Sequence, residues 1–242
     1  MSASLLTEIR ADLHSRIIPE KAAFFPRFFK SGPGEYGEGD QFLGITVPSV
    51  REVSKNYSKK IDRSTLDKLF KSQWHEERLL AALMLVNLFD AAKDPIQQEE
   101  WVDYYLDQVS NNRVNNWDLV DLSAHKILGK FLIPRDRSIL YKLYYTGHLW
   151  SQRVAIMSTY AFIKKDDYKD IYELAELALP HKHDLIHKVS GWMLREMGNR
   201  NQDALREFLD IHMKNMPRTM LRYAIEKLDE PIRQYYLINS RS

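Results

Sequence analysis

Apolar residues recur at helical spacing along nearly the whole chain. Leu5, Leu6, Ile9, Leu13, Ile17 and Ile18 mark a first helix within 4–18, and Pro19-Glu20-Lys21 opens a second that runs to Phe29 or Lys30. Pro48 starts a helix over 49–57, and Ser64 caps another that ends at Phe70. Apolar stretches of helical period then follow at 75–89, 97–109, 117–129, 136–146, 149–163, 168–178, 185–197, 202–213 and 217–228. Short breaks such as Pro134, Gly147, Pro180 and Gly198 separate them, and strand signals are nearly absent.

These stretches repeat. Arg153-Val-Ala-Ile, Lys188-Val-Ser-Gly and Arg222-Tyr-Ala-Ile align at spacings of 35 and 34 residues; Asp118 lies 35 before Arg153, and Arg78-Leu-Leu-Ala 40 before Asp118. A helix pair recurring at this period is the signature of a HEAT-like α-solenoid, whose pairs bury their apolar faces only by stacking on neighbours. The expected fold is therefore all-α, a curved α-α superhelix forming one domain over 1–242. In that register Arg78, Arg153, Lys188 and Arg222 start successive inner helices and line up on the concave face, a row suited to a polyanion. An alternative is that each cation pairs with an acid of the preceding repeat, such as Glu77 or Asp184.

The stretch 115–129 carries the candidate chemistry. Asn116 is placed to cap a three-turn helix, Asp118 lies in its first turn, and Gly129 is placed to end it in the left-handed conformation. Trp117, Val120, Asp121, Ala124 and Leu128 share one face, so Asp121 sits beside a tryptophan among small apolar groups. Burying that carboxylate alone would cost several kcal/mol, so either a cation of a neighbouring segment reaches it or it faces a groove that a ligand fills. Gly191 beside Trp192 is a second unusual feature, because glycine inside a helix costs about 1 kcal/mol relative to alanine and marks the close approach of another group.

Composition narrows the function classes. With no cysteine the chain has no disulfide, thiolate zinc site or cysteine nucleophile. No leader pattern precedes Asp12 and no run of about 18 apolar residues occurs, which points to a cytoplasmic protein without a membrane span. The net charge of +2 is too small to imply nucleic acid by itself, so that case rests on where the charges sit. The segment 31–40 holds four of the nine glycines and reads as a loop. It lacks the preceding strand and following Gly-Lys-Ser/Thr of a phosphate cradle, and Glu35, Glu38 and Asp40 would repel phosphate. His183 and His187 stand one turn apart without a dedicated third ligand, and Asp184 between them reads as a helix cap, so neither metal nor cofactor is expected. No serine nucleophile motif is present.

With these residues in view, the chain resembles the AlkD-type DNA glycosylases of the DNA alkylation-repair family over nearly its whole length. The resemblance rests on Asn116-Trp117-Asp118-x-x-Asp121, Trp150-x-Gln152-Arg153-x-Ala155-Ile156 and Ile186-x-Lys188-x-x-Gly191-Trp192-x-Leu194-Arg195-Glu196. Pro19-Glu20-Lys21-Ala22 and Phe42-Leu43-Gly44-Ile45 support it near the N-terminus. It implies a monomeric, monofunctional base-excision enzyme that holds duplex DNA in its concave face and releases cationic alkylpurines such as 3-methyladenine and 7-methylguanine. The resemblance also implies that the lesion stays stacked, whereas most glycosylases flip their base. The matched catalytic residues are Asp121, Trp117 and Trp192. Arg153 matches a DNA-contacting arginine, with Phe28, Lys188, Arg195, Arg78 and Arg222 as further DNA-binding candidates. Two departures stand out: Phe28 replaces a tyrosine of the family pattern, and the glycine-rich loop is an insertion. A non-catalytic HEAT-type module that binds DNA structures or a protein is the alternative in another class.

Overall fold

The computed structural model describes residues 4–240; residues 1–3 and 241–242, the ends of the expected domain, lie outside the described residues. The fold is all-α and of the helical-repeat class. The chain divides into two compact units, Met1–Ser123 and Ala124–Ser242.

The first unit contains α1 (Leu5–His14), α2 (Pro19–Phe28), α3 (Val47–Tyr57), α4 (Arg63–Phe70), α5 (His75–Ala91), α6 (Pro95–Ser110) and α7 (Trp117–Ser123). Prolines in the first turn of α2, α3 and α6 occupy positions where a missing N–H costs nothing. The side chain that starts α4 is Asp62, which accepts from the Thr65 amide at 2.6 Å, and not the expected Ser64. A carboxylate there also complements the helix dipole.

Helix α5 is the centre of this unit, since α3, α4, α6 and α7 all pack on it. Every residue from Leu79 to Val86 is buried, so the helix has no polar stripe along its middle. Each large side chain among them contributes about 1.5–3 kcal/mol of burial. Among the described residues the only strand-like pairing is a parallel bridge between Gln41 and Trp74, which fastens the end of the glycine-rich loop to the start of α5.

The second unit contains a π turn (His125–Gly129), α8 (Lys130–Leu132), α9 (Ser138–Tyr145), α10 (Leu149–Ser158), α11 (Tyr160–Ile163), α12 (Lys169–Leu177), α13 (Asp184–Arg200), α14 (Gln202–His212), α15 (Arg218–Ala224) and α16 (Glu230–Asn239). Helix α10 packs on α9 and α13, and α13 on α12, α14 and α15. Expectation and structure differ at its glycines. Gly129 does not end a helix: its φ of −59° is right-handed, and its amide bonds Ala124 O five residues back. A Cβ at Gly129 would lie 2.4 Å from Ser158 O, so the glycine permits a close approach. Gly198 lies inside α13, where a Cβ would meet Leu205 Cδ2 at 2.4 Å.

The expected helix 149–163 is divided. Ser158 and Thr159 donate to Val154 O and Ile156 O, and the chain turns between α10 and α11. Helix α16 was outside the expected pattern because Tyr236 is its one fully buried residue, too little to write an apolar stripe.

Candidate functional site

The approach to α7 is built from the first turn of α5. His75, Glu76, Glu77 and Arg78 are four consecutive polar residues, each at most 5% exposed. Such groups remain inside only when bonded, and each has its own partners. Glu76 accepts from the amides of Leu43, Gly44 and Ile45 at 2.9, 2.8 and 3.1 Å, which accounts for Phe42-Leu43-Gly44-Ile45: Gly44 has φ +79° and a Cβ would strike Ile18 O at 2.3 Å. Glu77 takes Arg10 in a forked pair at 2.8 Å and His14 at 3.2 Å.

His75 and Arg78 meet Asp40, the last residue of the loop. Arg78 donates to Asp40 Oδ1 at 2.6 Å, and the His75 ring nitrogens face Asp40 Oδ2 at 3.2 Å and Asp118 Oδ2 at 2.9 Å. Two carboxylate acceptors require both ring nitrogens to donate, so the imidazole is an imidazolium. Burial pushes its pKa down, but the charge and hydrogen bond of Asp118 and the hydrogen bond of Asp40 outweigh that and raise it to about 9. For Asp40 burial acts upward, and the hydrogen bond from His75 with the charge of Arg78 holds its pKa below the usual value.

Over this ionic layer lies an aromatic one. Phe29 stacks on Phe42 at 5.1 Å and on Trp117 at 5.4 Å, and the Phe28 edge meets the Trp117 ring at 5.9 Å. Trp117 is half-buried and Phe28 is 49% exposed, so both present ring surface to solvent. Asp121 follows Trp117 by four residues on α7 and is itself half-buried, while Val120 and Ala124 are fully buried. Its charge reaches inward as far as Tyr105: burial pushes the Tyr105 phenol up, the Ser123 hydrogen bond pulls it back, and Asp121 adds to the rise.

In the second unit Trp192 is half-buried on α13, and its indole N–H donates to Glu196 Oε1 at 2.9 Å. Gly191 permits the approach of α15, where a Cβ would meet Met220 O at 2.4 Å and Tyr223 Cβ at 2.6 Å. The sequence Trp150-x-Gln152-Arg153 ties α10 to the entry of α13. Trp150 is buried, Gln152 bonds His181 at 3.1 Å, and Arg153 donates to Leu185 O at 2.7 Å. The cap of α13 is His183, whose Nδ1 accepts from the Leu185 amide, and not the expected Asp184.

The cations of the expected row differ in exposure and partners. Arg78 is 5% exposed and bonded to Asp40 and Ser72 O, an internal pair. Arg153 is 4% exposed and turned to a carbonyl, because a buried guanidinium must bond within the protein. Lys188 pairs with Asp184 on its own helix at 2.6 Å, and Arg195 with Glu226 and Glu196. Arg222 is exposed and is the fifth residue of α15, as Arg153 is of α10 and Lys188 of α13.

A family model described as DNA alkylation repair enzyme matches residues 9–228. The chain belongs to this family. Among curated proteins none matches. A solved structure described as a predicted DNA alkylation repair enzyme from Enterococcus faecalis superposes with a TM-score of 0.67 at 18% identity, covering 89% of this chain and 98% of its own. At that identity the likeness shows the fold. Family membership makes this a DNA-repair protein with an enzyme's role.

For a member of the alkylation-repair family, the residues that sequence reasoning missed are His75 and Asp40. The available signal was the length of α5: a helix apolar all round in its middle is enclosed, so its polar first turn is enclosed too. The loop is no phosphate cradle, since Glu35 and Glu38 already accept from the amides of Gly32 and Gly34 at 3.0 Å. Among the described residues no group of three or more His, Asp or Glu is arranged to hold a metal ion, and no helix is long and apolar enough to cross a membrane.

Proposed function

We propose that the chain is a monofunctional DNA glycosylase that hydrolyses the N-glycosidic bond of cationic N3- and N7-alkylated purines in duplex DNA. The observation that carries this reading is the pairing on α7 of a half-buried carboxylate, Asp121, with a half-buried indole, Trp117, at the open edge of an aromatic layer. An alkylated purine is already a good leaving group, so departure needs no proton. The electron pair of the C1′–N bond leaves with the base, which becomes neutral, and water supplies the new C1′–O bond and releases a proton. Asp121 stabilises the positive charge growing on the sugar and orients that water. The indole face of Trp117 attracts a cationic base and excludes bulk water, and the resemblance gives Trp192 the same kind of role.

Phe28 adds ring surface beside Trp117, without the hydroxyl of the family's tyrosine. Phosphate contact falls to exposed or surface-paired cations, Arg222, Lys188 and Arg195, which can exchange their carboxylates for phosphates. Arg222→Ala should weaken duplex binding and make its log–log salt dependence shallower by about one unit, whereas Arg78→Ala should act on stability.

The experiment is release of free base from methylated duplex DNA, followed chromatographically with the abasic sites left behind. Liberated 3-methyladenine or 7-methylguanine is the expected result. Tight duplex binding with no free base contradicts it and moves the chain to a non-catalytic DNA-binding module.

A further inference from the structure

The buried ionic layer under Trp117 has more organisation than a helix start requires. Asp40 receives Arg78 and His75 from α5, and Asn115 at 3.1 Å and Asn116 at 3.4 Å from the approach to α7. Asn116 Oδ1 accepts from the Trp117 amide at 2.9 Å, and Asp118 Oδ1 from the Leu119 amide at 2.9 Å while its Oδ2 holds His75. The His75 ring also touches Phe29 at 4.7 Å and Phe42 at 5.0 Å, and Phe29 is the ring on which Trp117 stacks. His75 is thus linked to Trp117 by two routes, through Asp40 and Asn116 to its amide and through Phe29 to its indole face.

Stability alone does not account for this choice. Apolar side chains of similar volume would stabilise a helix start as well as buried ions do or better, whereas ions with directional partners select one geometry. The loop belongs to the same device. Its acids Glu35 and Glu38 fix its own turns, and Gly37 passes so close to Phe29 O that a Cβ would sit 2.7 Å away, bringing Asp40 to one place.

We propose that His75 and Asp40 are positioning residues for base excision, clamping the approach to α7 so that Trp117 and Asp121 keep a single orientation toward the alkylated nucleotide. The proposal rests on the excision reading above. It gives the glycine-rich insertion a purpose, the delivery of Asp40. The charged groups facing the imidazolium are Asp40 from the loop, Asp118 from α7 and Arg78 from α5.

The test uses the full chain labelled with 5-fluorotryptophan, with the Trp117 and Trp192 19F signals assigned by Trp117→Phe and Trp192→Phe. In His75→Gln and Asp40→Asn the Trp117 signal should shift or broaden while the Trp192 signal stays. Single-turnover excision at saturating protein should fall about tenfold to a hundredfold, the scale of a small misplacement of reacting groups, with duplex Kd within about threefold of wild type. Raising the pH of the wild type should move the Trp117 signal with a midpoint near 9, and that movement should be missing in His75→Gln.

An unchanged Trp117 signal in Asp40→Asn, or wild-type excision by folded His75→Gln, overturns the proposal. If His75→Gln fails to fold, Asp40→Asn and the wild-type titration decide. If the wild type releases no base, the excision reading falls, and the fluorine signals still judge the clamp.

Discussion

The two tryptophans are held by opposite means. Trp117 rests on a buried layer of charges, two carboxylates and two cations within hydrogen-bond reach, overlaid by stacked rings. Trp192 rests on close helix packing, where Gly191 admits α15 and a one-turn hydrogen bond to Glu196 directs the indole. The first support is electrostatic and collapses when one partner is removed. The second is steric and fails when volume is added.

Removal of a charge from the first support should have the largest effect on stability. Asp40→Ala leaves the cations of His75 and Arg78 facing each other's field in a site with 2% and 6% side-chain exposure, and should cost about 3–5 kcal/mol. Urea unfolding read by the Trp117 and Trp192 fluorine signals measures it for each unit. A loss below about 1 kcal/mol would mean that the layer contributes little.

The pH responses should also oppose. The folded pKa of His75, about 9, lies above its ordinary 6.5, so its contribution is complete below pH 6.5 and lost as pH rises through 9. The shift corresponds to on the order of 3 kcal/mol. In the second unit burial lowers the pKa of His148, His181 and His183, with His187 and His183 adding to the effect at His181. The unfolded chain then binds more protons than the folded one, so that contribution is lost as pH falls below the ordinary value. Stability read by the Trp117 signal should fall toward alkaline pH, and stability read by the Trp192 signal toward acid. Identical pH profiles for both would break the comparison.

A smaller effect is expected from volume. Gly191→Ala places a methyl against Met220 O and Tyr223 and should cost about 1–3 kcal/mol, with the Trp192 signal displaced. Gly147→Ala is the control for this substitution, since a Cβ there meets nothing within 4 Å and its φ of +72° adds only local strain.

The sequence made the second support easier to read than the first. Gly191 beside Trp192 announces a close approach, because nothing else justifies glycine inside a helix, and α15 is the group that approaches. The helices themselves were legible from apolar period, with errors where the backbone leaves the regular α-helix, at the π turn around Gly129 and at the bend after Ser158. The charge layer was not legible. Asp40 precedes His75 by 35 positions and Asp118 follows it by 43, and no local pattern shows which acid meets which base across such distances. For the same reason Arg78 and Arg153 looked like surface cations at matching repeat positions, while their partners take them inside. That Trp117 and Asp121 share one helix was legible because a spacing of four is local to it.

The central claim is that Asp121 acts on the sugar and not on the fold. Asp121→Asn keeps the shape of the side chain and removes its charge, so single-turnover release of 7-methylguanine from a duplex should fall by at least about a hundredfold while duplex Kd and melting temperature stay near wild type. Equal rates for the two proteins would contradict the account.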